Sequence, residues 1–295
     1  MNYINEINQK IKSSKIEWQL EPFPHAVIDD FFPKEVFAEI VKGLDDVDEF
    51  KDLKKNFSTD IENNKKVYGD SDLSEVLRIP INVLGGETVK SFFEKYFNGQ
   101  KIVSMCDWPE YGGAYPFHKM TDGGVLGSHV DHSHSKTGEL HVANSIFYAS
   151  SEWNDSWGGE TLLFDNMGIN IKKKIIPKPN RAILFVHSAS TFHGVNKINS
   201  PEGIKRSTYY MDYYINDKNL NNVKNALMKK GYKKINYTFH TTAFMPFFPL
   251  GFKSFKIKSL FLKSNYSYLK VFFKYLISRF LLSYKVAGIF KNKNI

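Results

Sequence analysis

The chain has 295 residues, 42% of them hydrophobic and 15% aromatic, with a formal charge of +9 and a single cysteine. That length suits one large decorated domain or two small ones, and the apolar content excludes a disordered chain. The lone Cys106 excludes an intramolecular disulfide framework and reads as a buried, inert thiol.

The charge is unevenly spread. Residues 216–295 hold sixteen Lys/Arg and one acid, Asp217, for +15, which leaves −6 on residues 1–215. This asymmetry is the best boundary signal in the chain. It divides a domain over 1–216 (support over 1–100, core over 101–216) from a basic, aromatic-rich C-terminal extension over 217–295.

In chain order, Met1-Asn2-Tyr3-Ile4-Asn5-Glu6 carries no apolar run resembling a secretion signal, so a cytoplasmic, reducing setting is expected. Residues 3–15 read as a short polar helix. Phe23-Pro24-His25-Ala26-Val27-Ile28-Asp29 reads as a strand, and Asp30 to Leu44 as a helix with Pro33 in its first turn and Gly43 near its end. Residues 45–80 are charged and poorly periodic, which suggests a long surface excursion. Glu87 to Phe97 reads as a helix ended by Asn98-Gly99.

From Ile102 the pattern changes to short apolar runs broken by glycine pairs. They are Ile102–Asp107, Gly127–Asp131, Leu140–Ala149, Glu160–Phe164, Ile171–Ile176, Arg181–Val186, Gly194–Ile198 and Ser207–Ile215. Many short strands with turns between them, preceded by helices rather than alternating with them, argue for a jelly roll and against a doubly wound α/β fold. The expected class is mainly β with flanking helices (α+β).

Within that core, His129 and Asp131 are two residues apart and project from one side of an extended strand. His193, from a distant strand, can complete a two-histidine, one-carboxylate face that leaves the opposite metal positions open, the donor set of non-haem Fe(II) oxygenases. Arginine is scarce, with only Arg78, Arg181, Arg206 and Arg279, and Arg206 lies where such a site needs a planar cation for a co-substrate carboxylate. Zinc is disfavoured despite nearby His132 and His134, because no CxxC partner exists.

His129-Val130-Asp131, Gly158-Gly159-Glu160-Thr161-Leu162, Arg181-Ala182-Ile183-Leu184-Phe185, His193-Gly194-Val195 and Arg206-Ser207-Thr208 follow one another in the order seen in 2-oxoglutarate/Fe(II) dioxygenases. The chain most resembles their prolyl hydroxylase-like branch, over roughly residues 102–215, with a weaker echo in Pro24–Phe32. The resemblance implies a double-stranded β-helix core and Fe(II) held by His129, Asp131 and His193. It also implies 2-oxoglutarate held by Arg206 and Tyr148, with Asn144, Ile146, Thr208 and Tyr210 on the same inner faces. A plain core aromatic is the alternative reading of Tyr148.

O₂ would be the oxidant, ascorbate a stimulant, and succinate and CO₂ the co-products. Asp131 favours hydroxylation, since the related halogenases lack this carboxylate. The resemblance leaves the prime substrate open among peptidyl proline, an amino acid, a glycan and a lipid-linked metabolite. Tyr111, Tyr115 and His132 are weak candidates for the substrate mouth. His187 reads as structural, and Trp153 and Trp157 as packing beneath the Gly158-Gly159 loop. Two rival readings are a catalytically silent jelly-roll metal-binding or interaction protein and a cupin-like metalloenzyme that does not use 2-oxoglutarate.

In the extension, Leu220–Lys230 reads as a helix. Tyr268–Val286 is mostly apolar, with Lys270, Lys274, Ser278 and Lys285 near one stripe. Charges interrupt every long apolar run, so the expectation is either packing on the core or peripheral contact with an anionic membrane surface, not a span. Nucleic acid ranks lower as a partner, because no nucleic-acid motif accompanies the charge.

Overall fold

A computed structural model describes residues 3–47, 49–254 and 266–281. The helices are α1 (Tyr3–Ser13), α2 (Lys34–Asp45), α3 (Glu75–Gly85), α4 (Glu87–Tyr96), α5 (Leu220–Lys229) and α6 (Tyr266–Leu281). The strands are β1 (His25–Ile28), β2 (Leu53–Ser58), β3 (Glu62–Tyr68), β4 (Val103–Ser104), β5 (Phe117–Val130), β6 (Leu140–Tyr148), β7 (Thr161–Phe164), β8 (Ile171–Ile175), β9 (Arg181–Val186), β10 (His193–Val195), β11 (Arg206–Ile215) and β12 (Ala243–Phe244).

The main path of the antiparallel sheet runs β1-β9-β6-β11-β5-β10-β7-β8 and curls into a half-barrel, the double-stranded β-helix expected from the sequence. Its pivot is the 14-residue β5. The first part of β5 pairs with β11 through Met120↔Arg206 and with β3 through Met120↔Lys65. Its far end pairs with β10 through His129↔His193 and with β12 through His129↔Phe244. One strand therefore belongs to both halves of the curl.

The main core lies between the helices and the broad half of the sheet, where Phe93, Phe97, Phe147, Tyr209 and Tyr213 are fully buried. Residues 220–237 contribute to this core through Leu220, Val223, Leu227, Tyr232 and Tyr237. A second, smaller core joins Leu162, Phe164 and Phe192 to Ala243, Met245, Phe272 and Tyr275 of the basic extension.

Three expectations need correction. Residues 45–80 hold the β2–β3 hairpin, which pairs onto β5, and α3, whose Leu77, Ile81 and Leu84 are buried. Exposed, lysine-rich β2 shows no apolar alternation, and Pro80 inside α3 obscures the helical period. Ile102–Asp107 is only a two-residue strand followed by a 3₁₀ turn, closed where Ser104 N donates to Asp107 Oδ2 at 2.7 Å. The Gly127–Asp131 run proves to be the end of a strand that starts ten residues earlier, at Phe117.

Candidate functional site

A cavity of about 580 Å³ opens between the two halves of the curl, lined by β3, β5, β6, β10, β11 and β12. Five of the nine histidines line it: His118, His129, His132, His134 and His193. The cross-strand pair His129↔His193 sets two imidazoles on one face, with ring centroids 4.3 Å apart. Asp131 follows two residues after His129, one position past the end of β5, and turns its carboxylate between them. Its Oδ1 lies 3.5 Å from His129 Nε2 and its Oδ2 3.4 Å from His193 Nε2. The three residues thus offer donor atoms within 4.8 Å of one another.

Local hydrogen bonds select which nitrogens face the centre. His129 Nδ1 lies 2.8 Å from Gly127 O, and His193 Nδ1 lies 3.2 Å from Thr191 O. With each Nδ1–H donated to backbone, both Nε2 lone pairs point inward, the tautomer a metal needs. Burial works against ionising Asp131, but His193 and His129 hold its carboxyl well below the usual carboxylate range. Burial, then the neighbouring His129, pushes His193 down to about 4. Asp131 and His193 are thereby favoured in the deprotonated forms that a divalent cation needs.

Arg206, only 2% exposed, lies across the cavity on β11. Its Nε donates to Gly159 O at 2.8 Å and its Nη2 to Thr161 Oγ1 at 3.1 Å. Gly159, at φ +70, also leaves room for Trp153, since a Cβ there would sit 2.7 Å from its ring. Among the described residues no carboxylate forms an ion pair with Arg206. A buried guanidinium lacking an anion fits the distal carboxylate of 2-oxoglutarate.

Alternation along β11 brings Thr208, Tyr210 and Asp212 onto the cavity wall with Arg206, and Asn144 and Ile146 face it from β6. Tyr148 is fully buried behind this wall. Its hydroxyl lies 2.6 Å from Thr161 Oγ1, and its ring lies beneath the Arg206 guanidinium at 5.1 Å. Tyr148 therefore meets the cavity through Arg206 and Thr161.

Asn144 sits on the side of the pocket that holds His129, Asp131 and His193 rather than beside Arg206. Its Nδ2 donates to Asp131 Oδ2 at 3.3 Å and to Asp212 Oδ1 at 2.8 Å. Asp212 was not identified from the sequence. It is buried beside His141 and His132, its Oδ2 accepts from Tyr214 Oη at 3.2 Å, and burial, with Asp131 adding to it, raises its carboxyl well above the usual range. His132, His141 and Asp212 also cluster closely enough for a metal. However, His132 Nε2 is engaged with Tyr214 Oη at 2.8 Å, and both His141 nitrogens lie against carbonyls. This second group reads as the hydrogen-bond frame that fixes Asn144. Its residues come from three separated segments, and no local motif announces them.

At the mouth, Glu110, Tyr111, Gly112 and Gly113 all have positive φ, a left-handed run that turns the chain sharply. Tyr115 and His132 line the cavity, whereas Tyr111 turns away to hydrogen-bond Asp70. Phe244 of β12 stacks on the His129 ring at 4.9 Å and forms part of the wall, so the C-terminal region contributes to the site.

Residues 115–211 match the family model of the 2OG-Fe(II) oxygenase superfamily, a span that includes His129, Asp131, His193 and Arg206. Among solved structures, a prolyl hydroxylase from Trichoplax adhaerens, in complex with a hypoxia inducible factor peptide fragment, aligns at TM-score 0.50 and 14% identity. That alignment covers 72% of this chain and 91% of the other. A prolyl-4-hydroxylase from Pseudomonas putida aligns at TM-score 0.49 and 11% identity, over 71% of this chain and 98% of the other. HygX from Streptomyces hygroscopicus, with nickel, 2-oxoglutarate and hygromycin B bound, aligns at 0.43 and 12%, over 65% and 82%. No curated protein matches the chain. Residues 115–211 are thus similar to the 2OG-Fe(II) oxygenase superfamily, and the fold is a prolyl hydroxylase-like double-stranded β-helix.

Proposed function

We propose that this protein is an Fe(II)- and 2-oxoglutarate-dependent dioxygenase that hydroxylates an unactivated C–H bond. The observation that carries the reading is one cavity with a carboxylate between two imidazoles on one wall and a buried, anion-free guanidinium on another. His129, Asp131 and His193 would hold the metal, and Arg206, backed by Thr161 and Tyr148, would hold the co-substrate carboxylate. When bound, Fe(II), 2-oxoglutarate and O₂ supply an oxidative decarboxylation to succinate and CO₂ coupled to oxygen insertion into the substrate.

The chain's own residues do the remaining work. Gly127 O and Thr191 O fix the imidazole tautomers. Asn144 donates to the Asp131 carboxylate between the two imidazoles, and Asp212 anchors Asn144 in turn. Thr208, Ile146 and Phe244 exclude water around the co-substrate channel. His132 and Tyr115 stand where a prime substrate would enter.

The test is succinate release from 2-oxoglutarate on adding Fe(II) and ascorbate, followed by untargeted mass spectrometry for a product with one added oxygen. A silent binding protein would release no succinate. A cupin-like metalloenzyme would keep its activity in Arg206→Ala.

A further inference from the structure

The basic extension ends, among the described residues, in α6, whose inward side mixes apolar and polar residues. Its buried side carries Phe272 and Tyr275 but also Ser278 and Arg279. Ser278 Oγ donates to Phe239 O, Tyr275 Oη donates to Ala189 O, and Arg279 Nη1 donates to Tyr275 Oη at 2.7 Å. The stripe expected to hold Ser278 among the basic residues is therefore corrected: Ser278 faces inward, and Lys285 lies outside the described residues.

The outward side presents Phe273, Ile277 and Phe280, which are 56%, 49% and 58% exposed. Their i, i+4, i+7 spacing makes one continuous ridge, about 10 Å long. Tyr266, 72% exposed, continues it at the N-terminal end. Lys270 and Lys274 are exposed on the same side, and no Asp or Glu occurs anywhere after Asp217. No helix among the described residues is long and apolar enough to cross a membrane.

We infer that α6 docks this protein onto an anionic lipid bilayer, with Phe273, Ile277 and Phe280 entering the acyl boundary and Lys270 and Lys274 meeting lipid phosphates. The charge pattern selects this occupant. A ridge meant for a neutral or basic protein face gains nothing from the sixteen Lys/Arg accumulated over residues 216–295, whereas an anionic bilayer satisfies ridge and charge together. Internal hydrogen bonds hold the helix with its ridge outward, so docking requires no rearrangement of the core.

Docking also bears on the cavity. In the first turn of α6, Tyr268 Oη donates to Glu62 Oε2 at 3.3 Å and its ring contacts Phe244 at 5.2 Å, and both partners line the pocket. The docking helix and the pocket wall are in direct contact.

Vesicle flotation with the full chain tests this inference, using neutral phosphatidylcholine vesicles and vesicles that also contain phosphatidylglycerol. The expected result is flotation with phosphatidylglycerol vesicles that high salt reverses. Phe273→Ser/Ile277→Ser/Phe280→Ser should weaken it roughly a hundredfold. Lys270→Gln/Lys274→Gln, which carries no folding risk at exposed positions, should weaken it about tenfold or more at low salt.

Near-UV circular dichroism confirms that each variant keeps the native core. The inference is overturned if the wild type fails to float, or floats as well when both variant sets are made. It is equally overturned if the wild type is a dimer that the apolar triple variant turns into a monomer without any vesicle binding, because the ridge would then belong to a second copy.

Discussion

Replacing Arg206 by methionine separates an anchoring arginine from a structural one. In the metal- and co-substrate-free protein, Arg206 has two hydrogen bonds, to Gly159 O and Thr161 Oγ1, and no ion pair among the described residues. Losing those bonds costs roughly 1–3 kcal/mol each. Removing a buried cation without an anion returns several kcal/mol of desolvation. The two effects nearly cancel, so Arg206→Met should leave stability within about 2 kcal/mol of wild type. Burial already lowers the basicity of this guanidinium, in line with a strained charge.

Binding of 2-oxoglutarate should respond in the opposite way. A co-substrate carboxylate left in this cavity without its cation loses about 3–5 kcal/mol, or roughly 10²- to 10⁴-fold in affinity. Urea denaturation of the free protein and anaerobic titration with 2-oxoglutarate in the presence of Fe(II) measure the two quantities. A variant that unfolds more than about 4 kcal/mol more easily yet binds 2-oxoglutarate normally would refute the assignment.

Three further outcomes follow from the geometry. Burial pushes His187 down to about 4, and burial with His187 as neighbour pushes His240 down to about 3. Below an unfolded value of about 6.5, only the unfolded chain takes up these protons. The metal-free protein should therefore keep this stability above pH 6.5 and lose about 1.4 kcal/mol per imidazole per unit as pH falls toward 4. Urea midpoints across that range check this, and His240→Phe should flatten the slope. Asn144→Leu removes the donor shared by Asp131 and Asp212 and should weaken metal binding roughly 10- to 100-fold in chelator competition. Phe244→Ala empties the face stacked on His129 and should cost about 3 kcal/mol in thermal unfolding while widening the pocket.

The parts of the site that were legible in the sequence are those written within a few residues of each other. His129 and Asp131 share a strand face because they are two apart, and the Gly158-Gly159 pair marks the turn before β7. What escaped was built by distant pairing. Thr121-Asp122-Gly123-Gly124 looks like a turn, yet it lies inside β5, where Gly123 at φ +72 lets one strand pass from one half of the curl to the other. The hairpin β2–β3 has no apolar face to announce it, because its ladder to β5 rather than its side chains places it. Asp212 and His141 acquire meaning only once β6 and β11 lie side by side. Tyr148 was found on the right strand and is buried behind Arg206, a depth that strand alternation alone cannot specify.

The pairing of Phe244 with His129 has a bearing on how this protein matures. The imidazole pair is complete once His193 has been made and Phe244 follows 51 residues later, so on the ribosome the pair can form before the aromatic ring that walls it in. A nascent chain stalled in that interval would hold a cradle open to water and to competing cations. On the proposed function, metal loading is thereby tied to synthesis past Phe244, and a chain that stopped before residue 243 would lack the ring stacked on His129.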